Sequence, residues 1–182
     1  IAKALIKLGD NFKQKDHEIF NKLENISGKI IDGRKNAFPG EVISDFLQEN
    51  KNFFPKLEEF ANEIFEKVKQ NNRTRYIALC QFLKDEYGIT VKDVIPKEGK
   101  PFSKIYKVKD KELLLSDYLS LETKKLFAAA QISQEGASKE IDEYLTTFNF
   151  PTEESKKLTR VALLNYCGAA ILMPYSLFHK EC

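Results

Sequence analysis

The stretch that decides the fold is residues 161–174, VALLNYCGAAILMP, in which Asn165 is the only strongly polar side chain before the proline. A helix that is apolar on every side is normally buried. The stretch is too short to cross a bilayer, which needs about 20 apolar residues, so it predicts a core helix surrounded by other helices and a sheet. Pro174 predicts the end of this helix, because proline lacks an N–H and disfavours helical geometry in the residue before it.

The segments that lead into this central helix are predicted to be helical too. Ser120 or Thr123 is a suitable N-cap for a helix that extends to about Gln134 and contains three consecutive alanines, which permit close approach of another helix. Residues 137–146 predict a further helix. Pro151 or Thr152 then opens the central one.

A small sheet is predicted before these helices, where the sequence pattern changes after Gly88. Residues 89–95, 104–108 and 112–116 are short and rich in β-branched residues or leucine, and Pro, Gly and a Lys-Asp-Lys turn separate them. They predict three antiparallel strands. The six lysines between positions 97 and 111 either attract phosphates or protect an exposed edge strand from pairing with other chains.

The first half of the chain is predicted to be helical. Residues 41–50, 54–70 and 72–87 predict three helices, and Gly88 is a suitable C-cap for the last. Before them, residues 1–26 predict a long amphipathic helix, and residues 27–40 are interpreted as a linker rich in Gly and Pro. The apolar stripe of the leading helix needs a partner, which is either a second copy of the chain or the parent domain.

Composition limits the function and location of the chain. With 182 residues, 42% of them hydrophobic, it can bury a proper core, and its formal net charge of +2 is too small to favour tight DNA binding by this part alone. The three cysteines are an odd number without Cys-x-x-Cys spacing, which predicts free thiols and a cytoplasmic location. We expect no signal segment and no membrane partner. The first residue is not Met and lies inside an amphipathic pattern, so the chain is interpreted as a fragment.

Several blocks of the sequence resemble a known family. Residues 163–175, LLNYCGAAILMPY, closely resemble the Asn-aromatic-x-small-Ala-x-Leu-Leu-Met-Pro signature of IrrE/ImmA-type zincin-like domains. Further blocks resemble, in the same order, the short-chain fatty acyl-CoA regulators, which are bacterial transcription factors with an N-terminal helix-turn-helix. These blocks are residues 1–8 (IAKALIKL), 41–53 (EVISDFLQENKNF), 83–91 (LKDEYGITV) and 113–117 (LLLSD).

The resemblance implies a fold class and a domain organisation. The expected fold is α+β and helix-rich: a degenerate zincin-like domain with a small three-stranded antiparallel sheet, preceded by the long amphipathic helix. Residues 1–40 would form the leading helix and linker, with a possible role in dimerisation. Residues 41–182 would form the IrrE/ImmA-like domain, truncated at its C-terminus. The DNA-binding domain would precede this chain and be absent from it.

The metal site of the zincin-like relatives is predicted to be lost. In those relatives a His-Glu-x-x-His helix and a later glutamate hold zinc and activate water. The corresponding positions here read AQISQ at residues 130–134, and Leu163 occupies the position of the third ligand. Alanine and leucine have no lone pair to donate, and His17 and His179 are the only histidines of the chain. We therefore expect no metal, no catalytic residue and no peptidase activity.

Losing the ligands would leave an apolar cleft suited to a short acyl chain. The resemblance places the cleft between the two helices that would have held zinc. Its expected lining is Phe127, Ala130, Gln131, Gln134, Leu163 and Tyr166. Cations near the facing helices would bind the phosphates of coenzyme A, and the candidates are Lys124, Lys125 and Arg160. For each of these residues the alternative is a plain core position or a solvated first turn.

Two functions follow from different classes of protein. The first is the ligand-sensing and dimerisation core of a transcriptional regulator, which binds a short-chain acyl-CoA effector, has no resident cofactor and contacts DNA only through the absent domain. The second is a dimerisation or scaffold module whose cleft is filled by side chains. Stoichiometric zinc in the purified protein would instead favour a metallopeptidase.

Overall fold

A computed structural model describes residues 39–69, 74–97 and 101–175, and within these ranges the chain forms six helices and one small sheet. The predicted leading helix and most of the linker lie outside the described residues. The elements in chain order are α1 (Pro39–Glu49), α2 (Pro55–Lys69), α3 (Arg75–Tyr87), β1 (Thr90–Val94), β2 (Lys104–Lys107), β3 (Glu112–Ser116), α4 (Leu121–Gly136), α5 (Ser138–Thr146) and α6 (Glu153–Leu172).

The ends of several helices follow from local capping chemistry. The Ser120 hydroxyl accepts a hydrogen bond from the Thr123 N–H at the start of α4, and the Thr152 hydroxyl accepts one from Ser155 at the start of α6. Gly88 ends α3 in the left-handed conformation, with φ 70°, and its N–H bonds to carbonyls of the last turn. These predicted helix boundaries are confirmed to within a few residues.

The sheet is mixed, and the prediction of three antiparallel strands was wrong. The strand order is β1-β3-β2, in which β1 runs parallel to β3 and β2 runs antiparallel to it. The central strand, β3, is the one with fully buried side chains, Leu113 and Leu115, whereas β1 and β2 are largely exposed. Hydrophobic burial therefore places the leucine-rich strand in the middle, and the lysine-bearing strands form the edges.

The helix α6 joins two hydrophobic clusters. The cluster beneath the sheet takes Ala170 and Ile171 from α6, together with side chains of α2, α3, α4 and β3. The second cluster takes Leu163 and Cys167 from α6, and packs them against aromatic side chains of the α1–α2 region and against α5. Because α6 contributes to both clusters, it organises the core as predicted.

One face of α6 is nevertheless exposed, so the expectation of a helix buried on every side was wrong. Val161 is 52% exposed, Leu158 is 38% exposed, and Asn165 lies on the same face. These positions recur at helical spacing. The buried side of α6 lies instead against α4, α2 and α1.

Candidate functional site

The predicted cleft between α4 and α6 is closed by backbone contact. Gly168 of α6 lies against α4 so closely that an added Cβ atom would be 2.8 Å from the Ala130 nitrogen. Ala130 is 4% exposed, and Leu163 is fully buried in the second cluster. The absence of a side chain at Gly168 thus allows the backbones of α4 and α6 to approach closely. Ligand binding by these residues stays a prediction.

The other predicted contacts of the cleft are engaged with the protein itself. The Gln131 amide donates to Glu135 at 2.9 Å, and the Ser138 hydroxyl donates to the backbone carbonyl of Gln134. Phe127 packs on the cluster beneath the sheet, and the ammonium of Lys104 lies 5.9 Å from the centre of its ring. The side chains of Gln131 and Phe127 therefore have structural partners in the described part of the chain.

Two of the three predicted phosphate-binding cations also have acidic partners. Lys125 pairs with Glu122 at 2.9 Å, one turn before it on α4. The Arg160 guanidinium bonds to Asp142, and it donates a second hydrogen bond to Ser138 at 3.2 Å. Both cations remain partly exposed, so each is accessible to a second anion.

The third predicted cation, Lys124, is buried and ties the sheet to α4. It is 7% exposed, and its ammonium lies 3.0 Å from Asp117 and 3.3 Å from Asp93. The hydroxyl of Tyr76 donates to the other oxygen of Asp93 at 2.9 Å. Burial acts to lower the pKa of Lys124, but the two carboxylates outweigh it, and the pKa is raised above its ordinary value. A lysine enclosed in this way is a structural residue.

Replacing Lys124 by methionine is expected to lower the free energy of unfolding by about 1–3 kcal/mol, because it removes charged hydrogen bonds and leaves two carboxylates facing each other. The matched control is Lys125→Met. Its ion pair involves a 79% exposed glutamate, so we expect a change of at most about 0.5 kcal/mol. Urea denaturation followed by circular dichroism measures both. Equal effects of the two substitutions would contradict the structural role of Lys124.

An open groove lies elsewhere, where the second half of α6 meets the turn between α1 and α2. It has a volume of about 570 Å³. This size is within the usual range of small-molecule sites. Its lining residues are Lys51, Asn52, Phe53, Glu58, Tyr166, Ala169, Ala170, Met173 and Tyr175. The lining is mostly aromatic and apolar, with one lysine and one glutamate.

Glu58 and Tyr166 form a hydrogen-bonded pair in the wall of this groove. The Tyr166 hydroxyl donates to Glu58 Oε1 at 2.5 Å. Burial raises the pKa of Tyr166, and the carboxylate of Glu58 raises it further. The next residue on α6, Cys167, is a free buried thiol whose pKa is raised to about 11, chiefly by burial. A thiol in this state is a packing residue and a weak nucleophile.

Tyr166 is thus the one predicted ligand-binding residue that lines the groove. Glu58, the most informative lining residue, was not predicted. A signal for it exists in the sequence, because Glu58 precedes Ala61, Phe65 and Val68 at helical spacing and so occupies the buried stripe of α2. A carboxylate within an apolar stripe is unusual unless it has a role.

The described residues contain no group of three or more His, Cys, Asp or Glu side chains placed to hold a metal ion. Ala130 and Leu163, which the resemblance assigns to the ligand positions of the zincin-like domains, are buried in the core. The donor set here does not fit a zinc ion.

Comparison with curated proteins shows similarity to transcriptional regulators. The chain is 26% identical over 144 residues to the HTH-type transcriptional regulator PrpR of Mycobacterium tuberculosis, covering 78% of this chain and 29% of that protein. It is 25% identical over 143 residues to the HTH-type transcriptional regulator RamB of the same species, covering 79% of this chain and 30% of RamB. The chain therefore spans less than a third of the length of these relatives. No family model matches the sequence.

A solved structure described as a Mycobacterium tuberculosis transcriptional regulator has the same fold. The TM-score is 0.71 at 26% sequence identity, and the match covers 80% of this chain and 44% of that one. Sequence and structure together support a relationship to helix-turn-helix transcriptional regulators, which is consistent with a role other than catalysis. None of the helices in the described ranges is long and apolar enough to cross a membrane.

Proposed function

We propose that this chain is the ligand-sensing and dimerisation core of a bacterial transcriptional regulator, and that it binds a short-chain acyl-CoA. The observation that carries the proposal is an open, mostly apolar groove in a domain similar to HTH-type regulators. A preceding DNA-binding domain would contact DNA, and the protein would work in the cytoplasm as a homodimer. The resemblance to the acyl-CoA regulators suggests the class of ligand.

The proposed ligand site is the groove beside α6. It replaces the cleft between α4 and α6 that the sequence predicted, and the contact between these two helices at Gly168 and Ala130 is called the seam. The seam is closed where Gly168 meets Ala130, whereas the groove is large enough for an acyl chain and part of its carrier. Burying each methylene of the acyl group in an apolar groove contributes about 0.8 kcal/mol. In this proposal sensing would use the part of α6 that faces the turn between α1 and α2.

The regulatory mechanism would be a shift between two conformations. A ligand changes such an equilibrium only if it binds one conformation more tightly than the other. The groove joins the turn between α1 and α2 to the end of α6, so an occupant would change how these elements pack. That change would be transmitted to the dimer and from it to the DNA-binding domain.

The proposal is tested by thermal unfolding with acetyl-, propionyl- and butyryl-CoA. A ligand present at 100 times its dissociation constant is expected to stabilise the protein by about 2.7 kcal/mol. Free coenzyme A is the control that separates the acyl group from its carrier. No shift at millimolar concentrations of any of these compounds would refute acyl-CoA binding.

A non-catalytic dimerisation or scaffold module is the second candidate, and the closed seam between α4 and α6 favours it. Light scattering with and without acyl-CoA distinguishes the two. The sensor is expected to change its dimerisation constant with ligand. The scaffold is expected to form the same dimer under both conditions.

A further inference from the structure

The groove contains a buried hydrogen-bond acceptor that no described residue of the chain uses. Glu58 is 8% exposed, and its Oε1 accepts the hydrogen bond from Tyr166. Its other oxygen, Oε2, is shielded from solvent and has no hydrogen-bond partner among the described residues. Leaving a buried carboxylate oxygen without a donor costs free energy, so such atoms are rare in native proteins. An acceptor kept in the wall of an open groove is suited to a donor from outside the chain.

The side chains around Glu58 restrict the kind of donor. Its carboxylate repels an anionic group at the inner end of the groove, whereas the ammonium of Lys51, in the lining on the α1–α2 turn, disfavours a cationic ligand. Apart from the Asn52 amide, the remaining lining is aromatic or otherwise apolar. The combination fits a ligand with two parts. An uncharged chain offers an N–H or O–H group to Glu58, and a negatively charged end of the same ligand lies towards Lys51.

The backbone of the α1–α2 turn is held in an unusual conformation beside the groove. Lys51 and Asn52 have φ values of 55° and 54°, in the left-handed region that residues with a Cβ rarely adopt. Hydrogen bonds of 2.8 Å from their N–H groups to the carbonyls of Gln48 and Leu47 maintain it. Two consecutive residues in this region store conformational free energy, and such positions concentrate at ligand-binding sites.

We infer that Glu58, oriented by Tyr166, accepts a hydrogen bond from an uncharged amide or hydroxyl donor of the ligand and so sets the specificity of the groove. The inference rests on the proposed function and deepens it. The carrier arm of an acyl-CoA has amide N–H and hydroxyl donors along an uncharged chain, and its phosphates lie at the far end from the acyl group. In this arrangement the arm lies along Glu58 and the phosphates approach Lys51.

The test is the affinity of the full chain for propionyl-CoA, measured by calorimetry for the parent protein, Glu58→Gln and Glu59→Gln. Glutamine replaces the free acceptor by an NH₂ donor with almost no change in volume. We expect Glu58→Gln to weaken binding about ten-fold or more, the usual effect of losing a hydrogen bond to a charged group. Glu59 is the adjacent exposed glutamate on α2 and is absent from the lining of the groove, so Glu59→Gln is expected to bind like the parent.

A second variant, Tyr166→Phe, removes the hydroxyl that holds Glu58 and keeps the ring, and it is expected to weaken binding several-fold. The melting temperature without ligand separates a binding role from a structural one. The melting temperature of Glu58→Gln without ligand is expected to equal or exceed that of the parent protein, because the substitution removes an unsatisfied buried carboxylate. A fall in melting temperature with unchanged affinity would assign Glu58 to structure and overturn the inference.

The possible failures are distinguishable. If the parent binds propionyl-CoA and Glu58→Gln binds it equally well, the inference is wrong and the proposed function stands. If neither the parent nor any variant binds propionyl-CoA or free coenzyme A, the proposed function and the inference are both wrong. If Glu59→Gln weakened propionyl-CoA binding as much as Glu58→Gln, the inference would also be overturned, since general surface charge would then explain the loss of affinity.

Discussion

Replacing Phe54 by alanine is expected to lower the free energy of unfolding by about 3–5 kcal/mol. Phe54 is fully buried at the start of α2, and its ring packs edge-to-face on Tyr144 and Tyr166, with centroids 5.1 Å from each. It also stacks on Phe46 at 5.8 Å. Removing the ring opens a cavity where α1, α2, α5 and α6 meet. Since small domains are stable by only about 5–15 kcal/mol, this loss is large.

The adjacent Phe53→Ala is the matched control for this prediction. Phe53 is 42% exposed and contacts Tyr175 at 5.7 Å in the lining of the groove. We expect it to change the free energy of unfolding by less than about 1 kcal/mol and to weaken propionyl-CoA binding. Urea denaturation and calorimetry separate the two effects. Similar stability losses for the two neighbours would show that the aromatic cluster does not hold these helices together.

Replacing Gly168 by alanine is expected to lower the free energy of unfolding by about 1–3 kcal/mol, because the new methyl group would overlap the backbone of α4 at Ala130. The direction is informative, since alanine is favoured over glycine within a helix by about 1 kcal/mol. A loss of stability therefore measures the close approach of α4 and α6. Chemical denaturation of the purified variant is the measurement.

The control is Gly40→Ala in α1, where an added Cβ atom meets nothing within 4 Å. This substitution is expected to raise the free energy of unfolding by up to about 1 kcal/mol through helix propensity alone. The two glycines should thus respond with opposite signs. Stabilisation by both substitutions would mean that the seam between α4 and α6 has room for a side chain, and it would restore the cleft first predicted there.

The candidate site was only partly predictable. Tyr166 was expected to bind ligand because the resemblance places this aromatic residue beside the lost metal site, and it does line the groove. Ala130 and Leu163 were chosen because they occupy positions that hold metal ligands in the relatives which the sequence resembles. Their surroundings in this chain depend on how closely α4 and α6 approach, and Gly168 allows direct contact. Position in a motif therefore identified α6 and Tyr166, but not the other residues that line the groove.

Local sequence determined the helices and where they end. Capping by Ser120 and Thr152, the left-handed Gly88 and the apolar spacing of α6 act within a few residues of the chain, so they can be read without knowing the fold. The leucine-rich strand could be recognised in the same way. These features require only hydrogen bonds and burial that neighbouring residues themselves specify.

The tertiary structure decided the strand pairing, the partners of Lys124 and the groove. Each joins residues far apart in the chain. β1 pairs with β3 although β2 lies between them in the sequence, Lys124 pairs with Asp93, and Tyr166 donates a hydrogen bond to Glu58. Such contacts form only when several elements have packed together. The hydrophobic effect favours the removal of apolar area from water, but it does not specify which residues pack against each other. The unpaired oxygen of Glu58 becomes apparent only in the assembled fold, where the donors of the described residues can be located.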